Sequence, residues 1–264
     1  MRFATDKGSH VALVTGASSG IGVEFARLLA RRGSELVISA RRRDRLEKLR
    51  HELQSAHGVP VTVIPCDLAR PDGPQQLVDQ VGDLGKSVTV LINNAGFGAY
   101  GPVVEQDLDE IEAMIQVNVT SLTMLARFFA ADMGRRGAGF ILNVASFAAL
   151  QPIPRYAVYS GTKAYVIALS QALRHEARRH GVQVSTLVPG FTTTEFHLVA
   201  RHRKTRMMRW TSLKPAQVAR AGLDGLSRGK AIIVPGLWYK AAAMAARVMP
   251  RQVASELAAA VVKS

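Results

Sequence analysis

Seven short, almost uninterrupted apolar runs constrain this chain more than any other feature. They are His10–Thr15, Glu35–Ala40, Pro60–Pro65, Thr89–Asn93, Phe140–Val144, Gln183–Val188 and Ala231–Val234. Runs of this kind, rich in Val, Ile and Leu and without polar alternation, are strands covered on both faces. Between them lie Gly22–Arg32, Arg42–His57, Gln75–Gly82, Asp107–Arg135, Tyr156–His180 and Pro215–Ser227, each long enough for a crossover helix. Strict alternation of strand and helix dictates an α/β fold, a doubly wound parallel sheet with right-handed crossovers. No linker, repeat or composition break divides the 264 residues, so a single domain is expected over 1–264.

Cysteine and charge narrow the classes further. A lone cysteine, Cys66, excludes an internal disulfide framework and a cysteine-based metal cage. No apolar run approaches the roughly 20 residues of a membrane-spanning helix, and Met1–Gly8 is polar, so a cytoplasmic location is expected. Lysine and arginine number 34 against 20 acidic residues, a formal charge of +14. That excess raises nucleic acid, anionic lipid or an anionic ligand as partners. With no zinc module, aromatic RNA motif or separate basic arm, nucleic acid is the least supported of the three.

The first strand runs directly into Thr15-Gly-Ala-Ser-Ser-Gly-Ile-Gly22 and then a helix. Glycine supplies positive φ or lets a phosphate approach the backbone, and the helix N-terminus beyond offers free N–H groups to it. The candidate phosphate-contacting residues are Gly16, Ser18, Ser19, Gly20, Ile21 and Gly22. The spacing is Gly-x3-Gly-x-Gly rather than Gly-x-Gly-x2-Gly. At the end of the second strand, Arg41-Arg42-Arg43 stand where a carboxylate would bind a ribose 2′-hydroxyl. Guanidinium forks bind a 2′-phosphate, and three arginines opening a helix are otherwise unfavourable at its positive end. These residues point to NADP(H), with Arg41 and Arg42 as its readers; the bland alternative is an exposed helix start.

Tyr159 and Lys163 are four apart in a helical segment and therefore share a face. A tyrosine acts in proton transfer near neutral pH only if its surroundings adjust its acidity, and a cation one turn away is suited to that. Ser146 ends the preceding strand, where open α/β sheets place their ligands. Asn118 sits in mid-helix, a locally unfavourable position that implies a hydrogen-bonding task, structural or functional.

Taken in order, Thr15–Gly22, Cys66-Asp-Leu68, Asn93-Asn-Ala-Gly96, Asn118, Ser146, Tyr159-x3-Lys163 and Pro189-Gly190 with Thr194 resemble a compact short-chain dehydrogenase/reductase from residue 10 to about 236. The resemblance implies a Rossmann sheet of strand order 3-2-1-4-5-6-7. It implies Tyr159 as general acid, Lys163 holding the nicotinamide ribose and lowering the Tyr159 pKa, and Ser146 orienting a substrate carbonyl. Asn118 would hold a water linking Lys163 to solvent. Asp67 would meet the adenine; Asn94, Ala95 and Gly96 would form the wall behind its ribose. Pro189, Gly190 and Thr192 would flank the nicotinamide amide, with Thr192 standing where the family often carries Val or Ile, and Thr194 would contact the amide or the pyrophosphate. No metal is implied. A homodimer or homotetramer through the helices at Asp107–Arg135 and Tyr156–His180 is implied, as is a hydrophobic 3-oxoacyl, steroid-like or xenobiotic carbonyl or alcohol as substrate. The alternative is a catalytically silent NADP-binding sensor or scaffold.

Residues 191–214 form the expected substrate lid. From His197 to Leu223 there is no acidic residue, and Arg201, Arg203, Lys204, Arg206, Arg209, Lys214 and Arg220 interleave with Met207, Met208 and Trp210. A solvated amphipathic helix, an arginine site for an anionic acyl carrier and a surface for anionic lipid all fit. The Ala-rich tail, 237–264, opens with Leu-Trp-Tyr-Lys, where Trp238 and Tyr239 read as interfacial anchors for peripheral membrane contact or as packing residues.

Overall fold

The structure is a computed structural model, and it describes residues 10–195 and 210–248 together with Glu256. One parallel sheet carries the strands β1 (Val11–Thr15), β2 (Glu35–Ala40), β3 (Val61–Pro65), β4 (Val90–Asn93), β5 (Gly139–Val144), β6 (Val182–Leu187) and β7 (Ile232–Ile233). Their spatial order is β3-β2-β1-β4-β5-β6-β7, as the sequence implied. The helices are α1 (Gly20–Arg31), α2 (Arg43–His57), α3 (Gly73–Asp83), α4 (Leu108–Ile115), α5 (Leu122–Arg135), α6 (Ala157–Arg178), α7 (Pro215–Ser227) and α8 (Leu237–Val248).

The uninterrupted apolar runs are explained by two cores. Successive residues of a strand point to opposite faces. Ala12 and Val14 of β1, Leu36 and Ile38 of β2 and Val90 and Ile92 of β4 pack with Phe25 and Leu29 of α1, Leu46 of α2 and Leu223 of α7. Leu13, Val37 and Leu91 face the other way, onto Leu77 of α3 and Leu125, Phe129 and Met133 of α5. Each such side chain removed from water contributes about 1.5–3 kcal/mol, and the polar residues Thr15, Asn93 and Asn143 that these strands bury carry hydrogen bonds.

Three local features differ from the sequence expectation. The helix expected over Asp107–Arg135 is interrupted by a π-helical turn at Gln116–Ser121. Inside it the Asn118 amide donates to the Phe97 carbonyl at 2.9 Å and to Thr162 Oγ1 at 3.1 Å, while Ser121 Oγ donates to the Leu68 carbonyl at 2.7 Å. Such turns often mark functional sites. The whole run Leu108–Arg135 is also long and apolar enough by composition to cross a membrane, contrary to the sequence expectation, yet half of its most apolar stretch is buried in the fold. β7 is two residues rather than four, an edge strand cut short by Pro235 and Gly236.

Parallel strands bring all their carboxyl ends to one edge, and the order reverses between β1 and β4. A ligand crevice is expected at that switch point. Thr15 joins its two sides: its hydroxyl accepts from the Asn94 and Ala95 N–H groups at 3.1 and 3.0 Å.

Candidate active site

At this edge lies a cavity of about 370 Å³. Of the catalytic and cofactor-binding residues expected from the sequence, all but Gly22 and Asn118 line it.

The glycine turn forms one end. Gly16 and Gly20 have φ of +67° and +58°, the left-handed region open to glycine at no steric cost. Gly22 lies behind the turn, where a Cβ would come within 2.2 Å of the Gly16 carbonyl oxygen. Ser19 caps α1 in extended geometry without a side-chain hydrogen bond, and no acidic residue occupies the first turn. The orphan N–H groups and positive end of α1 thus suit a pyrophosphate. Asn94 holds the facing β4 turn, its amide donating to the carbonyls of Thr15 and Gly16 at 2.9 and 3.3 Å.

Beside the turn, Arg41 and Arg42 line the cavity at the end of β2. Arg42 donates through Nε and Nη2 to Ser18 Oγ at 3.2 and 3.1 Å. Its Nη1 donates to Glu195 Oε2 at 3.0 Å, and Arg45 Nη1 donates to Glu195 Oε1 at 2.6 Å. These two guanidinium groups hold the Glu195 carboxyl below the usual range. Asp67, at the same end, accepts from the Ala69 N–H at 3.0 Å.

The other end holds the proton-transfer group. Tyr159 and Lys163 project from α6, one turn apart and both buried. Burial pushes the Tyr159 hydroxyl up to about 12, only partly offset by its hydrogen bond with Ser146. The same cause lowers Lys163 to about 8. Lys163 is not among the causes of the Tyr159 shift in the protein alone, where burial dominates. Lys163 Nζ instead donates to the Val144 carbonyl at 3.0 Å. A Cβ on Gly96 would lie 3.0 Å from this ammonium and 2.8 Å from Asn118 Oδ1. Asn118 itself is fully buried, with both amide N–H donors spent and its Oδ1 accepting from the Phe97 N–H at 3.1 Å. Its side chain braces the β4 turn against α6.

Phe97, Phe147, Ile153, Tyr156 and Phe191 line the cavity, and all but Phe147 share an apolar cluster with Tyr159. Sequence reasoning missed these residues, and it missed Tyr239 most instructively. Of the two readings of Tyr239, interfacial anchor or packing residue, the structure bears out the second: the residue is 4% exposed. Its hydroxyl accepts from the Phe191 N–H at 2.9 Å, and its ring meets that of Phe147 edge-on at 5.2 Å. Gly190 presses against it: a Cβ there would stand 2.1 Å from the ring. The helical stretch right after the Pro235-Gly236 turn was the available signal. Leu237, Trp238 and Met244 of α8 are exposed, as is Trp210.

Thr192 is buried, its hydroxyl donating to the Gly190 carbonyl at 3.0 Å, and the methyl of Thr194 lies against Gly20. The remaining lid residues Arg201, Arg203, Lys204, Arg206, Met207, Met208 and Arg209 lie outside the described residues, as does the tail after Val248 apart from Glu256.

Comparison with known proteins agrees with this geometry. A family model described as short chain dehydrogenase matches residues 10–205. A very-long-chain 3-oxoacyl-CoA reductase from Vanderwaltozyma polyspora is 33% identical over 213 residues, 76% of this chain but 60% of that longer relative. Among solved structures, a short-chain dehydrogenase from Sphingobium yanoikuyae in complex with NADPH is 32% identical with a TM-score of 0.82, covering 90% of this chain and 94% of that one. A bulky-bulky ketone specific alcohol dehydrogenase from Comamonas testosteroni is 30% identical with a TM-score of 0.77, covering 93% and 96%. A short-chain dehydrogenase/reductase from Burkholderia phymatum in complex with NAD is 28% identical with a TM-score of 0.81, covering 92% and 93%.

Proposed function

This chain belongs to the short-chain dehydrogenase/reductase family of oxidoreductases, and from that premise we propose that it interconverts a bulky hydrophobic carbonyl compound and its secondary alcohol with NADP(H). The observation that carries this reading is one continuous cavity, with the glycine turn and Arg41–Arg42 at one end and Ser146, Tyr159 and Lys163 at the other.

A bound nicotinamide cofactor supplies the hydride; the chain supplies position and a proton. With its hydroxyl near 12, Tyr159 is protonated at neutral pH and can donate to a carbonyl oxygen. Ser146, hydrogen-bonded to Tyr159, orients that oxygen. Lys163 would hold ribose hydroxyls and return a proton to Tyr159, its own pKa near 8 allowing both charge states close to neutrality. Asp67 and Asn94–Gly96 would bound the adenosine; Pro189, Gly190 and Thr192 would bound the nicotinamide, and Thr194, packed on Gly20 of the glycine turn, would meet the pyrophosphate. Arg41 and Arg42 distinguish the phosphorylated cofactor, because a guanidinium fork gains from a 2′-phosphate and not from a hydroxyl. Phe97, Phe147, Ile153, Tyr156, Phe191 and Tyr239 make the substrate end apolar, which favours ring-bearing or long-chain ketones. Exposed Met124, Phe128 and Tyr165 on α5 and α6 supply the face for the proposed homodimer or homotetramer.

The test is NADPH oxidation across ketones graded in chain length and ring number, repeated with NADH. Turnover of bulky apolar ketones with a preference for NADPH is expected. Turnover confined to small polar carbonyls, or equal use of both cofactors, contradicts the proposal.

A further inference from the structure

The segment after β6 is fixed to the adenosine end of the cavity at two adjacent residues. The Thr194 methyl lies against Gly20, where a Cβ would meet it at 3.0 Å. Glu195, also lining the cavity, takes Nη1 of Arg42 and Nη1 of Arg45 on its two carboxylate oxygens. All three side chains are about 40% exposed, and ion pairs this open add little to folding stability. Their larger consequence is for whatever else needs the Arg42 guanidinium. Arg42 has committed Nε and Nη2 to Ser18, so the Nη1 group facing the segment after β6 is the one that Glu195 occupies.

We infer that Glu195 is a specificity-determining residue, an internal carboxylate that competes with the 2′-phosphate for Arg42 and so restrains the preference for NADP(H) over NAD(H). This rests on the proposal that Arg41 and Arg42 read the 2′-phosphate. A phosphate entering the fork meets a carboxylate of like charge already in it. A 2′-hydroxyl carries no charge and is indifferent to Glu195. Replacing the carboxylate by an amide of the same shape removes the like charge and frees the guanidinium. Coulomb's law at about 6 Å, with screening between that of bulk water and that of a protein surface, sets the gain at about tenfold in affinity for the phosphorylated ligand.

The experiment is calorimetric titration of the full chain with adenosine 2′,5′-bisphosphate and with 5′-AMP at one ionic strength. The proteins are the unsubstituted chain, Glu195→Gln, Arg42→Gln and the double variant. Glu195→Gln is expected to tighten the bisphosphate about tenfold and to leave AMP within about twofold, with the gain abolished in the Arg42→Gln background. If neither the unsubstituted chain nor Glu195→Gln prefers the bisphosphate, the 2′-phosphate reading itself fails. If the unsubstituted chain prefers the bisphosphate but Glu195→Gln binds it no tighter, that reading stands and the competitor role is overturned. A gain that persists without Arg42 would also overturn it, assigning the effect to the general field.

Discussion

Adding one methyl group at Gly190 tests whether α8 closes the active-site wall. The Cβ of Gly190→Ala would stand 2.1 Å from both Cε1 and Cζ of Tyr239. Carbon atoms pack at about 3.5–4.0 Å, so the ring must retreat by roughly 1.5 Å. It has little room: Tyr239 is buried, its hydroxyl holds the Phe191 N–H, and Phe147 meets its ring edge-on. Overpacking of this kind costs about 1–3 kcal/mol, and losing the Phe191 bond about 1 kcal/mol more. Gly190→Ala should therefore destabilise the chain by about 2–4 kcal/mol in urea unfolding. Tyr239→Ala alone should cost about 3–5 kcal/mol as a large-to-small core change. In that background the Gly190 substitution has nothing to strike, and its added cost should fall below about 0.5 kcal/mol. A double-mutant cycle on urea midpoints reads this coupling directly. Equal costs of Gly190→Ala in the two backgrounds would refute the packing of α8 on this wall.

Lys163 gives a pH signature. Its folded pKa, about 8, lies below the ordinary 10.5, so between these values the unfolded chain binds more protons and stability rises with pH. Urea unfolding from pH 8 to 10 should show the unsubstituted chain gaining on Lys163→Met by on the order of 2–3 kcal/mol; parallel pH profiles would contradict the burial of an ionisable amine there. Asn118→Ala should destabilise by about 2–4 kcal/mol, because it strips partners from the buried Phe97 backbone and from Thr162. Asn118→Ala unfolding at the midpoint of the unsubstituted chain would argue that the brace is idle.

Much of this was legible because it is local. The glycine turn, the Tyr159–Lys163 spacing and the two-faced apolar strands are patterns within a few residues of sequence. What was not legible depends on distant approach. Glu195 meets Arg42 across 153 positions and Tyr239 meets Phe191 across 48, and neither partner is named by the flanking residues. Leu237-Trp-Tyr-Lys reads the same for a membrane anchor as for a helix with one buried tyrosine, because periodicity does not say what the apolar face covers. The acidity of Tyr159 escaped for a related reason: sequence shows the neighbouring lysine but not the desolvation that pushes the hydroxyl up.

The central claim, that Tyr159 is the proton donor of a nicotinamide-dependent carbonyl reduction, is tested most directly by Tyr159→Phe. The substitution removes a single oxygen atom from a buried ring. NADPH affinity, read by fluorescence titration, should stay within about threefold, while ketone turnover should fall by about 10²–10⁴. Turnover within a few-fold of the unsubstituted chain, with cofactor still bound, would contradict it.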